Sequence, residues 1–252
     1  SGTRHQELLF TKEELQRVEE DDAVVGVVVR IDSPGGAVTA SDILYHELRT
    51  LREKRRIPVL ACIMDQGLSG GYYAALAADE IVAHPTALVG AVGVVSFKVT
   101  VDELLRKWGV EVATVKSGPL KDFWSPLRPS TAEETALMQG LTDRLHRRFL
   151  GLVAEARKLP PEALAAVGTG RVFDAEEAKR LGLVDRVGYL EEAVARTREL
   201  AGVSEARLIL YRRPQEFAGN LYAAGAAPRT ETLLLEGAAE LLFPSFRYQM
   251  LP

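Results

Sequence analysis

Twice within its first eighty residues the chain passes from an apolar, β-branched run through a glycine-rich turn into a helix, and this repeat limits the fold more than any other feature. Val24 to Ile31 reads VVGVVVRI, apolar nearly throughout, as expected of a strand covered on both faces. It delivers the chain to Asp32-Ser33-Pro34-Gly35-Gly36. Ser41 to Arg56 follows as a helix, with Ile43, Leu44, Leu48 and Leu51 at helical spacing and basic residues in its last turns, where the dipole favours them. Pro58 then opens a second apolar run, Val59 to Met64, bounded by Asp65, Gln66 and Gly67. Gly70, Gly71 and the Ala-rich segment Tyr72 to Ala78 read as the second helix. Strand, helix and strand in this order form a right-handed crossover in a parallel sheet, so both turns lie at the same sheet end. Gly35-Gly36 and Ser69 are therefore expected to be neighbours.

Ser69 stands where the second strand passes sharply into its helix. The first turn of a helix offers unpaired N–H groups and a partial positive charge, which suits a nucleophile whose product is an oxyanion. A serine in this place is more often only a helix cap. Gly67, Ser69 and Gly71 also fit G-x-S-x-G, the nucleophile elbow of α/β-hydrolases. That fold needs an acid and then a histidine downstream, and His5, His46, His84 and His146 supply none near the C-terminus. A Ser-His-Asp triad in that order is excluded. The Pro34-Gly35-Gly36 turn exposes backbone N–H groups at a strand end, as an oxyanion hole requires.

Bulk properties exclude several classes. The 252 residues suffice for one substantial core or a core with a subdomain, at 47% hydrophobic and 26% charged residues. A net charge of −4, with basic residues clustered only in short groups such as Arg55-Arg56 and Arg147-Arg148, argues against nucleic acid. Cys62, the single cysteine, falls inside an apolar strand and reads as inert core. No segment approaches the roughly 18 to 20 apolar residues of a membrane span, and no signal peptide is evident. Nor does any His/Asp/Glu group have metal-ligand spacing. Residues 1–10 show no helix or strand pattern and read as a start in mid-protein.

Further along, Thr11 to Asp22 reads as an amphipathic helix, Glu80 to Ala83 and Val92 to Phe97 as short strands, Val101 to Trp108 as a helix, and Val110 to Lys116 as a strand. Ser117 to Pro126 is a loop dense in large apolar side chains. Leu120, Phe123 and Trp124 there are expected to desolvate Lys121 and leave its amine neutral enough to take a proton from a serine, with Asp122 pointing away. Thr131 to Lys158 is the longest helix, opened by a Thr131/Glu134 capping box, with Leu137, Leu141, Leu145, Phe149 and Leu152 or Val153 as its apolar stripe. Pro161 to Val167, a helix capped by Asp174, a strand at Val184 to Val187, a helix at Tyr189 to Ala201 and a strand at Arg207 to Tyr211 follow. Beyond Pro214 only apolar islands stand out, 233–235 and 241–246. The expected organisation is a truncated N-terminal region (1–22), a catalytic domain (23–211) and a C-terminal tail (212–252).

The ordered set Ser33-Pro34-Gly35-Gly36, Ser69-Gly70-Gly71-Tyr72-Tyr73, Gly90-x-x-Gly93-Val94 and Ser117-Gly118-Pro119-Leu120-Lys121-Asp122 resembles the half-length bacterial signal peptide peptidase A family, from about Val24 to Tyr211. The resemblance implies an α/β, crotonase-like (Clp protease-like) spiral of ββα units with a C-terminal helical extension. It implies Ser69 as nucleophile, Lys121 as general base, and the N–H groups of Gly36 and Gly70 as oxyanion hole. No cofactor and no metal are implied. The implied partners are peptide substrates, namely signal-peptide remnants, further copies of the chain in a homo-octamer, and the bacterial membrane through an N-terminal anchor outside this chain, with the catalytic domain extracytoplasmic. In some members the C-terminus occupies a substrate groove, a role open to Ser245 to Pro252 here. One departure stands out: the family commonly carries a serine that holds the lysine where this chain has Ala91. Two other readings stay open on the residues alone, acyl-CoA chemistry on the same fold and a catalytically inactive scaffold.

Overall fold

A computed structural model describes residues 2–210 and 246–249. The first helix, α1 (Gly2–Glu20), runs through the stretch expected to be irregular, as its Arg, Gln, Glu and Leu content permits. Strand β1 (Val27–Ser33) and the short β2 (Gly35–Ala37) lead into α2 (Val38–Arg55). The Arg55 guanidinium turns back from the end of α2 to the carbonyls of Val18, Glu19, Asp21 and Val24, so this basic residue closes the chain's own α1–β1 connection.

Strand β3 (Val59–Leu68) does not stop at Asp65 as the polar residues suggest. It continues because its two halves serve different neighbours. Residues 59–63 pair in parallel with β1, Val27 opposite Val59 through Ile31 opposite Ile63, and on the other edge with β4 (Glu80–Ala83). Past a register shift, Ser33 lies opposite Gly67, while the other edge now pairs with β5 (Leu88–Gly90). One strand feeding two partners in succession curls the sheet. The edges are completed by β7 (Val172–Asp174), antiparallel to β5, and β8 (Arg186–Val187), parallel to β4.

Alternation along β3 divides the core. Ala61 and Ile63 face the larger cluster with Tyr72, Tyr73, Ile81, Phe149, Val153 and Phe173, while Leu60 and Cys62 face Val82, Leu190 and Ala193. Burial pushes the Cys62 thiol up to about 11, in line with an inert core cysteine. The larger cluster is roofed by α3 (Gly70–Ala75) and α5 (Ala132–Arg157), and the smaller by α8 (Leu190–Leu200). The capping box opens α5 as read: Thr131 Oγ accepts from the Glu134 N–H, and the Glu134 carboxylate accepts from the Thr131 N–H. Its buried stripe is Met138, Phe149 and Val153; Leu137, counted in the stripe from sequence, is 44% exposed. The remaining elements are β6 (Val95–Ser96), α4 (Asp102–Lys107), α6 (Pro161–Val167), α7 (Ala175–Arg180), capped by Asp174, and β9 (Phe246–Gln249).

Two expected strands are absent. Residues 110–116 and 207–210 have strand-like residues but no partner strand, and Val110, Val112, Val115, Leu208 and Ile209 lie exposed. Tyr211 and the islands 233–235 and 241–245 lie outside the described residues. Among the described residues no helix is long and apolar enough to cross a membrane.

Candidate active site

Ser69 occupies the single residue between β3 and α3, at φ 50° and ψ −110°, a backbone conformation that L-residues rarely adopt. Such strain costs about 1–3 kcal/mol and persists only where the surroundings over-determine it. Here they do. The Ser69 N–H donates to the Gly90 carbonyl at 2.7 Å, and its carbonyl accepts from the Tyr73 N–H at 2.8 Å. The next two aromatic residues pin the helix. The Tyr72 hydroxyl donates to the Leu183 carbonyl at 2.7 Å, and that of Tyr73 to Asp42 Oδ1 at 2.5 Å. Arg148 holds Asp42 from α5, while Tyr45 and Phe149 pack on the Tyr73 ring. Ser69 itself is 1% exposed, with its hydroxyl 3.5 Å from the Gly93 carbonyl.

The two glycine turns meet as the topology requires. A Cβ on Gly71 would come within 2.9 Å of the Ser33 carbonyl, so only glycine lets α3 start against the end of β1. Gly35, at φ 106°, donates its N–H to the Ser33 hydroxyl oxygen. Ser33, Gly36, Gly70 and Gly71 line one cleft of about 920 Å³ that continues along β1 toward α8. Beside this turn the chain forms a second, three-stranded sheet. β9 lies antiparallel between β2 and β6, with Gly36 opposite Tyr248, Arg247 opposite both Ala37 and Val95, and Ser96 opposite Phe246. The gap between β2 and β6 thus takes one extended peptide strand, with main-chain pairing on both edges.

Ala91 is buried at φ 50°, its N–H on the Arg171 carbonyl. It offers no side-chain polar group toward the serine. Lys121 stands apart. It lies on an exposed turn, its N–H on the Gly118 carbonyl, and among the described residues its amine has neither a hydrogen-bond nor an ion-pair partner, Ser69 included. Asp122 does turn away from it, toward Lys116 and Arg128. The aromatic cover expected over Lys121 falls elsewhere. Trp124 donates to the Phe97 carbonyl and lies 5.6 Å from the amine of Lys98, which also donates to the Arg128 carbonyl and the Ser130 hydroxyl. Burial holds the Lys98 amine below the usual lysine range. Lys98 and Arg128 escaped the sequence reading because neither sits in a glycine-rich motif; the partners of Lys98 lie about thirty residues away, and those of Arg128 lie six residues away across a turn. Among the described residues no three His, Cys, Asp or Glu side chains converge as metal ligands.

Residues 52–204 match the model of peptidase family S49, a span that contains Ser69, Gly70 and Lys121. Over 191 residues the chain is 36% identical to Protease 4 of Salmonella typhi, covering 76% of this chain and 31% of that protein. Over 192 residues it is 34% identical to the chloroplastic serine protease SPPA of Arabidopsis thaliana, covering 76% and 28%. A protein of Enterococcus faecium that carries the provisional name signal peptide peptidase SppA is 33% identical over 199 residues, covering 79% and 58%. The chain therefore spans less than two thirds of the length of each of these relatives. The curled sheet agrees with the Clp protease-like fold that the resemblance implied. With more than half of its length matched by that model, the chain belongs to peptidase family S49.

Proposed function

We propose that the chain is the catalytic part of a serine endopeptidase that cleaves extended, apolar peptides such as signal-peptide remnants, with Ser69 as nucleophile and Lys121 as base. The observation that carries this reading is the β9 strand held antiparallel between β2 and β6 beside the Ser69 turn. Strand addition supplies main-chain affinity and aligns a scissile carbonyl, the usual way an extended peptide is read. The reaction then runs as acyl transfer. The neutral amine of Lys121 takes the Ser69 proton, and the hydroxyl oxygen bonds to the peptide carbonyl carbon. The N–H groups of Gly36 and Gly70 hold the oxyanion, and Lys121 returns its proton to the leaving amine. Water repeats the sequence on the acyl-enzyme. The family match favours neither acyl-CoA chemistry nor an inactive scaffold.

In this reading the dyad is completed between copies. Lys121 is exposed, and exposed Leu104, Trp108, Val110, Val112 and Val115 precede it in the sequence, a density of apolar surface suited to an interface. A homo-oligomer, an octamer by the family resemblance, brings the Lys121 of one copy to the Ser69 of the next. An anchor outside this chain holds the assembly at the bacterial membrane. The test is hydrolysis of a fluorogenic peptide with small apolar residues before the scissile bond. Ser69→Ala and Lys121→Ala are each expected to lose activity by at least about a thousandfold. Mixing the two variants under subunit exchange restores part of it, because some sites regain an intact serine and an intact lysine. Full activity in Lys121→Ala sinks the dyad; inactivity of the mixture, with exchange verified, sinks its completion between copies.

A further inference from the structure

None of residues 118–127, the turn that carries Lys121, is fully buried, yet the turn is tied down on both sides by charge. Lys116 donates to the Pro119 carbonyl at 3.0 Å and to Asp122 Oδ1 at 2.7 Å, bracketing Lys121 between two fixed residues. On the other side Arg128 Nε donates to Asp122 Oδ2 at 2.8 Å, and Nη2 to the Asp122 carbonyl at 3.2 Å. Nη1 and the same Nη2 donate to the two oxygens of Glu134, a carboxylate 1% exposed that also closes the capping box of α5. One planar cation thus joins the Lys121 turn to the first turn of the longest helix through a double bidentate grip, a geometry lysine cannot reproduce. Of the two charged neighbours in the turn's sequence, Asp122 has both carboxylate oxygens occupied, while the Lys121 amine has no partner among the described residues.

We propose that Arg128 is a positioning residue for catalysis, fixing the Lys121 turn on α5 and keeping the Asp122 carboxylate off the Lys121 amine. This rests on the reading of Lys121 as base. The two effects separate cleanly. Loss of the anchor misplaces the amine, and a displacement of about 1 Å can cost on the order of a hundredfold in rate. A released Asp122 pairs with the amine and favours its charged form, so a neutral base appears only at higher pH. The charged groups around the turn are Lys116, Asp122, Arg128 and Glu134, with Lys98 on the carbonyl of Arg128; Asp122 is the carboxylate adjacent to Lys121.

The experiment is the pH profile of kcat and KM for Arg128→Ala, Arg128→Lys, Asp122→Asn and the double variant Arg128→Ala with Asp122→Asn, with melting temperature and assembly state recorded for each. Arg128→Ala is expected to lower kcat at least about tenfold with KM within about twofold, and to move the rising limb of the profile up by about one unit. Adding Asp122→Asn returns the limb to its wild-type position while kcat stays low. Arg128→Lys, which keeps the charge but cannot bridge both carboxylates, is intermediate in kcat, and its profile decides the matter if Arg128→Ala does not fold. An unmoved limb in the folded Arg128 variants, or a loss of rate that tracks melting temperature alone, overturns the proposal. Retained activity in Lys121→Ala overturns the dyad instead, a separate result.

Discussion

The Ser69 turn and the Lys121 turn belong to one proposed reaction and are built by opposite means. The first is strained, 1% exposed and enclosed by Tyr72, Tyr73 and Phe149; the second is exposed and held by ion pairs. Core packing can enforce an unfavourable backbone because leaving it would expose much apolar surface. A polar latch cannot supply that force, but it can set the direction of a long, flexible side chain. In the proposed reaction the nucleophile is therefore preformed within the chain, and the base awaits a neighbour.

That contrast breaks first at Phe149. It packs 5.0 Å from the Tyr73 ring and is wholly buried, so Phe149→Ala is expected to cost about 3–5 kcal/mol and to abolish activity with it. Urea denaturation checks this, and a loss below about 1 kcal/mol would mean that the core does not hold the Ser69 turn. Next is Gly90, at φ 107°, where a Cβ would lie 2.8 Å from the Phe173 ring and 3.0 Å from the Arg171 carbonyl. Gly90→Ala is expected to cost about 2–4 kcal/mol, and because the Gly90 carbonyl holds the Ser69 N–H, kcat falls in the fraction that stays folded. Tyr72→Phe removes only the bond to Leu183 and leaves a buried carbonyl short of a donor. About 1–2 kcal/mol of stability is lost, with kcat near wild type. A large fall in kcat with stability intact would show the Tyr72 hydroxyl acting on the reaction itself.

The same contrast explains what the sequence disclosed. The crossover that joins Ser33-Pro34-Gly35-Gly36 to Ser69 was legible because hydrophobic period, glycine placement and the handedness rule all act locally or through topology. The continuation of β3 past Asp65 was not, because it depends on β5 arriving as a second partner. Val110 to Lys116 reads as a strand and stays unpaired for a related reason: β-branched residues favour a sheet only where an edge is on offer. In α5 the capping box was plain at Thr131 and Glu134, yet the second use of Glu134, as the buried end of the Arg128 latch, was invisible. An Arg–carboxylate contact six residues apart and across a turn leaves no periodic trace.

The smallest effect sharpens the comparison most, because it separates the latch from the core by pH. The Arg128 guanidinium, with the Thr131 N–H, holds the Glu134 carboxyl down at about 2 from an ordinary 4.5, and Asp122 is held low by Arg128 and Lys116. A carboxyl depressed in the folded state contributes stability that is complete above its unfolded value and is lost as pH falls through its folded value. The latch is thus fully present above about pH 4.5 and disappears toward pH 2. In Arg128→Ala the largest cause of both depressions is gone and only the Thr131 N–H and Lys116 still hold the carboxylates, so that variant has less to lose in acid. Urea midpoints of wild type and Arg128→Ala are expected to differ modestly at pH 6 and to converge as pH falls from 4.5 toward 2. The gap between wild type and Tyr72→Phe, which rests on an uncharged bond in the core, stays constant over the same range. A gap for Arg128→Ala that also stayed constant would mean that Arg128 stabilises the turn by packing its alkyl stem, and not through the two carboxylates it bridges.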